Sequence, residues 1–398
     1  MARQQHPSSV LPSNGHRPHG ESDPSVRLRS VAKSTDPQAL STALGDSSPD
    51  VARAAIRRLV ELEGTKAAPA LRAVLLDADV ALTADLAKAL RELNDSEATK
   101  LARFGLGDER YTHRLAGAIT LGIVGDAEVR PDLAAALSDP IAAVRAAALE
   151  ALMRVGPNPE AVEAAATLLT DASPQVRVAA VRLVASKHPQ PTPLLATAAS
   201  DEDPEVRCEL ARHLGKLDRD IAGKLLADRD EGVRCQAVRC AGPEHTGALA
   251  RLLVSDRRAE VRRAAAHTLG RIGGPAAGEA LMPGIEDRDG IVRARVMRAL
   301  ERALGRTGAI TRLAGELQSA RTSRRRSALY ALAQFNDRDR TTLVWRLADD
   351  PDLDVRLAVV ATAGALLSEP DPLLMYMRTD PNTEVQRSAE RRLAARSS

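Results

Sequence analysis

Between residues 157 and 187 two apolar stretches flank one short polar turn. PNPEAVEAAATLL places its apolar residues three and four apart, the spacing of one helix face. DAS interrupts the pattern. QVRVAAVRLVASK then resumes it, with Val176, Ala180, Val181 and Val184 on one side. Ser173 stands where an N-cap is expected. Pro174 stands at the first helical position, where its missing N–H costs nothing. The stretch predicts two helices and a tight turn. A two-helix hairpin cannot close a core alone, so it needs neighbours of the same kind. No convincing strand alternation and no βαβ rhythm is found along the chain.

The neighbours are written in the sequence. A turn aspartate returns at Asp46, Asp77, Asp108, Asp139, Asp171, Asp201, Asp228, Asp256, Asp287, Asp350 and Asp380, with Ser319 in one place, in steps of 27 to 32 residues. Six residues after each comes Arg114, Arg145, Arg177, Arg207, Arg234, Arg262, Arg293, Arg325 or Arg356. Ala52 and Thr83 take that place in the first two units and Gln386 in the last. Twelve positions in near-constant step predict about twelve stacked repeats, with atypical units at the ends.

A turn aspartate followed by V-R-x-x-A-x-x-x-L resembles the HEAT repeat. The step near 30 is similar to its short subclass, the HEAT-like repeats of phycobilin lyases. The resemblance covers about residues 36 to 398. It implies an all-α, right-handed α-solenoid of about twelve two-helix repeats. It also implies that these aspartates and arginines form a ladder between neighbouring repeats. The physical reason is independent of the family. A helix start leaves N–H groups without partners, and a carboxylate there accepts from them. An arginine one turn into the helix can then satisfy the adjacent turn's carboxylate. The Asp–Arg phrase is thus read as scaffold.

Composition agrees with thin helical layers. Aromatic residues are 2% of the chain while apolar residues are 44%, so the core must be Ala, Leu and Val. Only seven of the 56 basic residues are lysine. The net charge of +3 means that any basic surface must be local. Cys208, Cys235 and Cys240 contain no CxxC pair, which argues against a disulfide framework and for a reducing compartment. No apolar run approaches a membrane span. The first 25 residues have no apolar secretory segment, so a cytoplasmic protein is expected. Residues 1–30, rich in Pro, Ser, Gly and His, are expected to be a disordered tail, with the solenoid over 31–398.

The search for chemistry returns little. There is no Walker loop, no GxGxxG after a strand, no GxSxG and no HExxH. No cofactor motif, metal site or catalytic residue is assigned. Some HEAT-like enzymes, such as deoxyhypusine hydroxylase, hold iron with His-Glu pairs, and the lone Glu244–His245, in reversed order, is a poor match. His188, His213 and His267 read as polar surface residues.

The informative surface is the second helix of each unit. Counting from the frame arginine, positions −1, +3, +4 and +7 are apolar, while +2, +5 and +9 project from the other side. In HEAT proteins second helices line a concave face. The outward positions here hold Arg154, Arg182, Arg212, Lys216, Arg239, His267, Arg271, Arg295, Arg298 and Arg302, interrupted by Glu150 and Glu209. The stripe fades at Tyr330, Gln334, Ala361 and Ala365. With acid concentrated in the turns, a basic groove with an acidic rim is expected. The favoured reading is a non-catalytic adaptor for an acidic protein or peptide. The alternatives are nucleic-acid binding, as in HEAT-like DNA glycosylases, and phycobilin-lyase-like chromophore handling. In the tenth unit Arg321, Arg324, Arg325 and Arg326 crowd one turn and form a possible anion site, beside the ladder gap at Ser319.

Overall fold

Each frame aspartate ends one helix and starts the next. In the computed structural model, Asp139, Asp171, Asp201 and Asp287 follow a tight 3-10 turn that closes the first helix. Each then accepts the N–H two residues on through Oδ1, at 2.8–2.9 Å. That bond holds the corner and leaves the following residue free to open the second helix. Ser173 does occupy the N-cap position of its helix, but its side chain makes no capping bond. Asp171 does the work expected of it, by accepting the Ser173 N–H. The structure describes residues 23–395 except Leu214, Lys216, 336–340 and 367–371.

The chain forms two compact units, Met1–Ala164 and Ala165–Ser398. In the first, short helices α2 (Pro37–Ala43), α4 (Ala68–Leu75), α6 (Ser96–Leu106) and α8 (Arg130–Ala135) alternate with longer α3 (Pro49–Glu63), α5 (Val80–Glu92), α7 (Tyr111–Val124) and α9 (Ala142–Val155). The longer helices pack on one another in order, and α1 (Pro24–Lys33) packs on α3 as if it were one more of them. The expected tail boundary is therefore corrected. Helix begins at Pro24, with Asp23 accepting the Ser25 N–H at 2.9 Å as the N-cap. Residues 1–22 lie outside the described residues.

After α10 (Pro159–Thr167), the second unit repeats the scheme. Its first helices include α12 (Thr192–Leu195), α14 (Arg219–Leu226), α16 (Thr246–Ser255) and α18 (Gly274–Leu281). The second helices are α11 (Pro174–Lys187), α13 (Pro204–Ala211), α15 (Glu231–Cys240), α17 (Ala259–Ile272), the first half of α19 (Gly290–Glu316), α20 (Thr322–Leu332), α22 (Leu353–Leu366) and α24 (Thr383–Ala394), each packed on the next. Gly305, at φ 71°, breaks α19 into the second helix of one unit and the first helix of the next. Short α21 (Thr341–Trp345) and α23 (Pro372–Met377) complete the set, and no strand occurs among the described residues.

The frame chosen from the sequence is the packing frame. The −1 residues Val206, Val233, Val261 and Val292 are fully buried, as are the +3 residues Leu210, Ala237, Ala265 and Val296. Small side chains let second helices approach closely. A Cβ on Gly270 would lie 2.8 Å from the Ala299 Cα, and one on Gly122 would lie 2.7 Å from the Ala151 Cα.

Candidate functional site

Within the second unit the aspartates and arginines do form a ladder. Arg177, Arg207, Arg234, Arg262, Arg325 and Arg356 each donate through Nε and Nη2 to both oxygens of the next unit's aspartate, at 2.7–3.4 Å. Nη1 of the same arginines turns back to the carbonyl at the frame position of its own turn, at 2.6–2.9 Å. One guanidinium thus ties two turns together. Arg207 and Arg262 are 3% exposed. Burial pushes the Asp201 and Asp256 carboxyls up, but the arginine hydrogen bonds and the turn N–H outweigh it, so both end below the usual range. Arg177, Arg207, Arg234 and Arg262 are held above their ordinary value by the same contacts. Asp171, Asp228, Asp287, Asp350 and Asp380 all serve as turn acceptors.

The first unit keeps only part of the ladder. Arg114 holds Asp139 at 2.7 and 3.2 Å, and Arg145 reaches its own Asp139 carbonyl at 2.7 Å. Arg27 holds Asp46 at 2.9 and 3.0 Å, a rung that the six-residue rule misses because no aspartate stands six residues before it in the sequence. Where Ala52 and Thr83 leave no arginine, His113 substitutes. Its ring reaches Asp77 at 2.9 Å and Asp108 at 3.1 Å and is 5% exposed. Arg110, with its side chain and backbone N–H, holds the Asp108 carboxyl down to about 2. Position −1 of this unit is the only sequence signal for His113, and it departs from the valine usual there.

The outward stripe divides in two. Arg154 belongs to the first unit and lies 3.9 Å from Glu150. In the second unit Arg182 grips Glu209 at 3.1 and 3.2 Å, Arg212 approaches the same carboxylate at 3.2 Å, and His213 stands 3.6 Å away. Glu209 is 5% exposed and so neutralises the start of the stripe rather than merely interrupting it. His213 is half-buried, not a surface residue as expected. Lys216 lies outside the described residues. Burial raises the Glu209 carboxyl, but His213, Arg182 and Arg212 overcome this and bring it to about 2. A depressed carboxyl stabilises the fold above its unfolded value near 4.5 and ceases to do so as pH falls toward 2. Glu209→Gln is expected to flatten that part of the acid-unfolding curve, by about 3 kcal/mol at most. Denaturant titrations at pH 7 and pH 3 check this. An unchanged pH dependence would count against the clasp.

From Arg239 onward the stripe arginines meet no carboxylate among the described residues. Arg239, Arg298 and Arg302 are exposed and Arg295 is half-buried. Among the described residues none of the four has a carboxylate partner. Arg271 donates to the Ala241 carbonyl at 2.7 Å. His267, on α17, is held below its ordinary value by burial and by the Arg295, Arg302 and Arg271 charges. Helices α17 and α19 therefore bring their outward cations within mutual reach.

The expected anion site is corrected. Arg325 is a ladder member bound to Asp350 at 2.7 Å. Arg324 meets Glu286 at 3.0 Å and Glu316 at 3.2 Å, and Arg326 meets Asp354 at 2.9 Å. Arg321 lies 3.8 Å from Glu286. Arginine density in the sequence is balanced here by carboxylates from other turns. An open cleft of about 650 Å³ beside them mixes Arg257, Arg288, Arg321 and Arg324 with Asp256, Glu286 and Asp287. The three cysteines are free thiols, and burial raises Cys208 and Cys235 above the ordinary range. No helix among the described residues is long and apolar enough to cross a membrane.

Stacked two-helix hairpins clamped turn to turn by Asp–Arg rungs define the class: an all-α solenoid of short repeats. The sequence profile described as HEAT repeats matches residues 104–171, 162–228 and 220–301. Residues 104–301 are therefore HEAT repeats. None of the curated protein sequences matches it. Among solved structures, the Escherichia coli protein YibA is similar at 20% identity, covering 72% of this chain and 100% of its own, with a TM-score of 0.45. Kap121p is similar at 15% identity over 93% of this chain and 44% of its own, with a TM-score of 0.47. Importin beta is similar at 13% identity over 91% of this chain and 56% of its own, with a TM-score of 0.43.

Proposed function

We propose that this protein is a non-catalytic scaffold whose second unit binds an acidic polypeptide across α15, α17 and the first half of α19. One observation carries the reading. Arg239 on α15 and Arg295, Arg298 and Arg302 on α19 have no carboxylate partner among the described residues, and His267 on α17 between those helices is held below its ordinary value by burial and by the α19 charges. Unmatched like charges repel, and a partner's carboxylates would relieve that repulsion. Arg295 and Arg302 stand about 10 Å apart along one helix, at 1.5 Å per residue. An extended acidic segment can span that distance and continue across α17 to Arg239 on α15, two second helices away. Outside the ladder pairs the flanking turns carry Asp230 and Asp289. They would repel a long polyanion more than a short acidic peptide.

The test is a quadruple Arg→Ser change at 239, 295, 298 and 302. Each exposed contact contributes about 0.2–1 kcal/mol. Together they are expected to weaken a fluorescein-labelled glutamate-rich peptide about tenfold or more. Circular dichroism should stay unchanged. A folded quadruple variant that binds the peptide like the wild type overturns the reading. Tight binding of random duplex DNA with a steep salt slope, lost in the same variant, replaces it with nucleic-acid binding.

A further inference from the structure

The ladder of the second unit has one open rung. Arg293 donates through Nη1 to the Asp287 carbonyl at 2.7 Å and the Arg288 carbonyl at 3.3 Å, as a ladder arginine does in its own turn. Its Nε and Nη2, the edge that elsewhere grips an aspartate, have no hydrogen-bond partner among the described residues. The cause is one side chain. The next turn carries Ser319, whose hydroxyl accepts the Arg321 N–H at 3.3 Å and so does half of an aspartate's work. It has no second oxygen to offer Arg293. Arg293 is consequently exposed, whereas its counterparts Arg207 and Arg262 are buried. Beside it lies a hollow of about 50 Å³ lined by Met297, Ser327, Tyr330 and Gln334, with Tyr330 48% exposed.

We propose that the open rung receives the carboxylate of an aspartate or glutamate from the partner polypeptide, seated on Arg293 Nε and Nη2, with an adjacent partner side chain against Tyr330. This rests on the acidic-partner reading and adds an anchor to it. The chemistry is read from the chain itself. In the six closed rungs of this unit the same two donors of the same residue type take both oxygens of a carboxylate at 2.7–3.4 Å. A planar guanidinium edge matches a carboxylate better than a single oxygen, so the vacant edge keeps that preference. Arg293 lies on the opposite side of α19 from Arg295, Arg298 and Arg302, but the hollow beside it is lined by Ser327, Tyr330 and Gln334, the outward positions of the α20 unit. One acidic segment would thus meet a shaped anchor and a broad field of charge together.

Two substitutions close the rung differently. Ser319→Asp supplies the missing carboxylate from within the chain. Arg293→Gln removes the vacant donors yet can keep the bond to its own turn. Gln386 does this at the equivalent place, with Nε2 2.6 Å from the Asp380 carbonyl. Ala320→Asp adds the same charge in the same exposed turn, one residue away, and controls for electrostatics at a distance. The glutamate-rich peptide is titrated against each by fluorescence anisotropy. Ser319→Asp is expected to raise the melting temperature by roughly 2–4 °C. It and Arg293→Gln are each expected to weaken the peptide about 5–10-fold, as for a lost charge-assisted hydrogen bond. Ala320→Asp should weaken it less than about twofold, in the range of a surface charge. Wild-type affinity in both rung variants overturns the anchor while leaving the acidic groove standing. Equal weakening by the two added aspartates, with none from Arg293→Gln, also overturns it. Failure of the wild type to bind the peptide removes both readings.

Discussion

Arg207→Ala is expected to destabilise the second unit by about 3–5 kcal/mol, the cost of breaking a buried ion pair on one side. The loss is large because the guanidinium serves two turns. It satisfies both Asp228 oxygens at 2.7 and 3.0 Å and the Asp201 and Glu202 carbonyls at 2.6 and 3.1 Å. Removing it strands a carboxylate that is 7% exposed. A double change that also truncates Asp228 should cost less than the sum of the two single changes, since the second no longer leaves a buried charge alone. Urea unfolding of the four chains measures the coupling. Additive single effects would show that the pair is not a stabilising rung.

Gly270→Val is expected to cost about as much by a different route. Glycine inside a helix normally loses about 1 kcal/mol against alanine, so a substitution starts with a gain. Here the new Cβ would stand 2.8 Å from both the Cα and the Cβ of Ala299, and 3.2 Å from its carbonyl oxygen. A backbone cannot step aside as a flexible side chain can. Helices α17 and α19 would have to separate, and overpacking of that kind costs about 1–3 kcal/mol for the first added groups. Valine adds two methyl groups beyond the Cβ, so the net loss should reach about 3 kcal/mol or more. Thermal melts of Gly270→Ala and Gly270→Val grade the effect. Equal or higher melting of the valine chain would mean that the helices are not held at this approach.

How much of this could be read from the sequence depended on how far apart the interacting residues lie. The repeat, the helix faces and the six-residue Asp–Arg frame were all legible, because a helix and a tight turn fix them locally. Val206, Leu210 and Ala211 are buried as their frame positions require. The failures came where partners are distant. Arg321, Arg324, Arg325 and Arg326 looked like an anion site because their carboxylates, Glu286, Glu316, Asp350 and Asp354, lie in other turns. Glu209 looked like an interruption of the stripe, whereas packing makes it the clasp of Arg182 and Arg212. His113 and Arg27 escaped notice because each does an arginine's or an aspartate's partner's work from outside the expected frame. The gap at Ser319 was visible, but only the structure shows that it is Arg293, and not the arginine cluster, that it leaves without a partner.

The back-bond of each frame arginine has a consequence for how such an array can lengthen. Every closed unit offers the same carboxylate on one side and the same guanidinium edge on the other, and the span between them is six residues throughout. Variation in step, from 27 to 32 residues, falls outside that span. The junction between units is therefore standardised while their interiors are not. A whole unit can be copied or removed by recombination at the turn, and the newly adjacent residues meet as they did before. Substitutions on the outward face can then diverge from unit to unit without disturbing the joint.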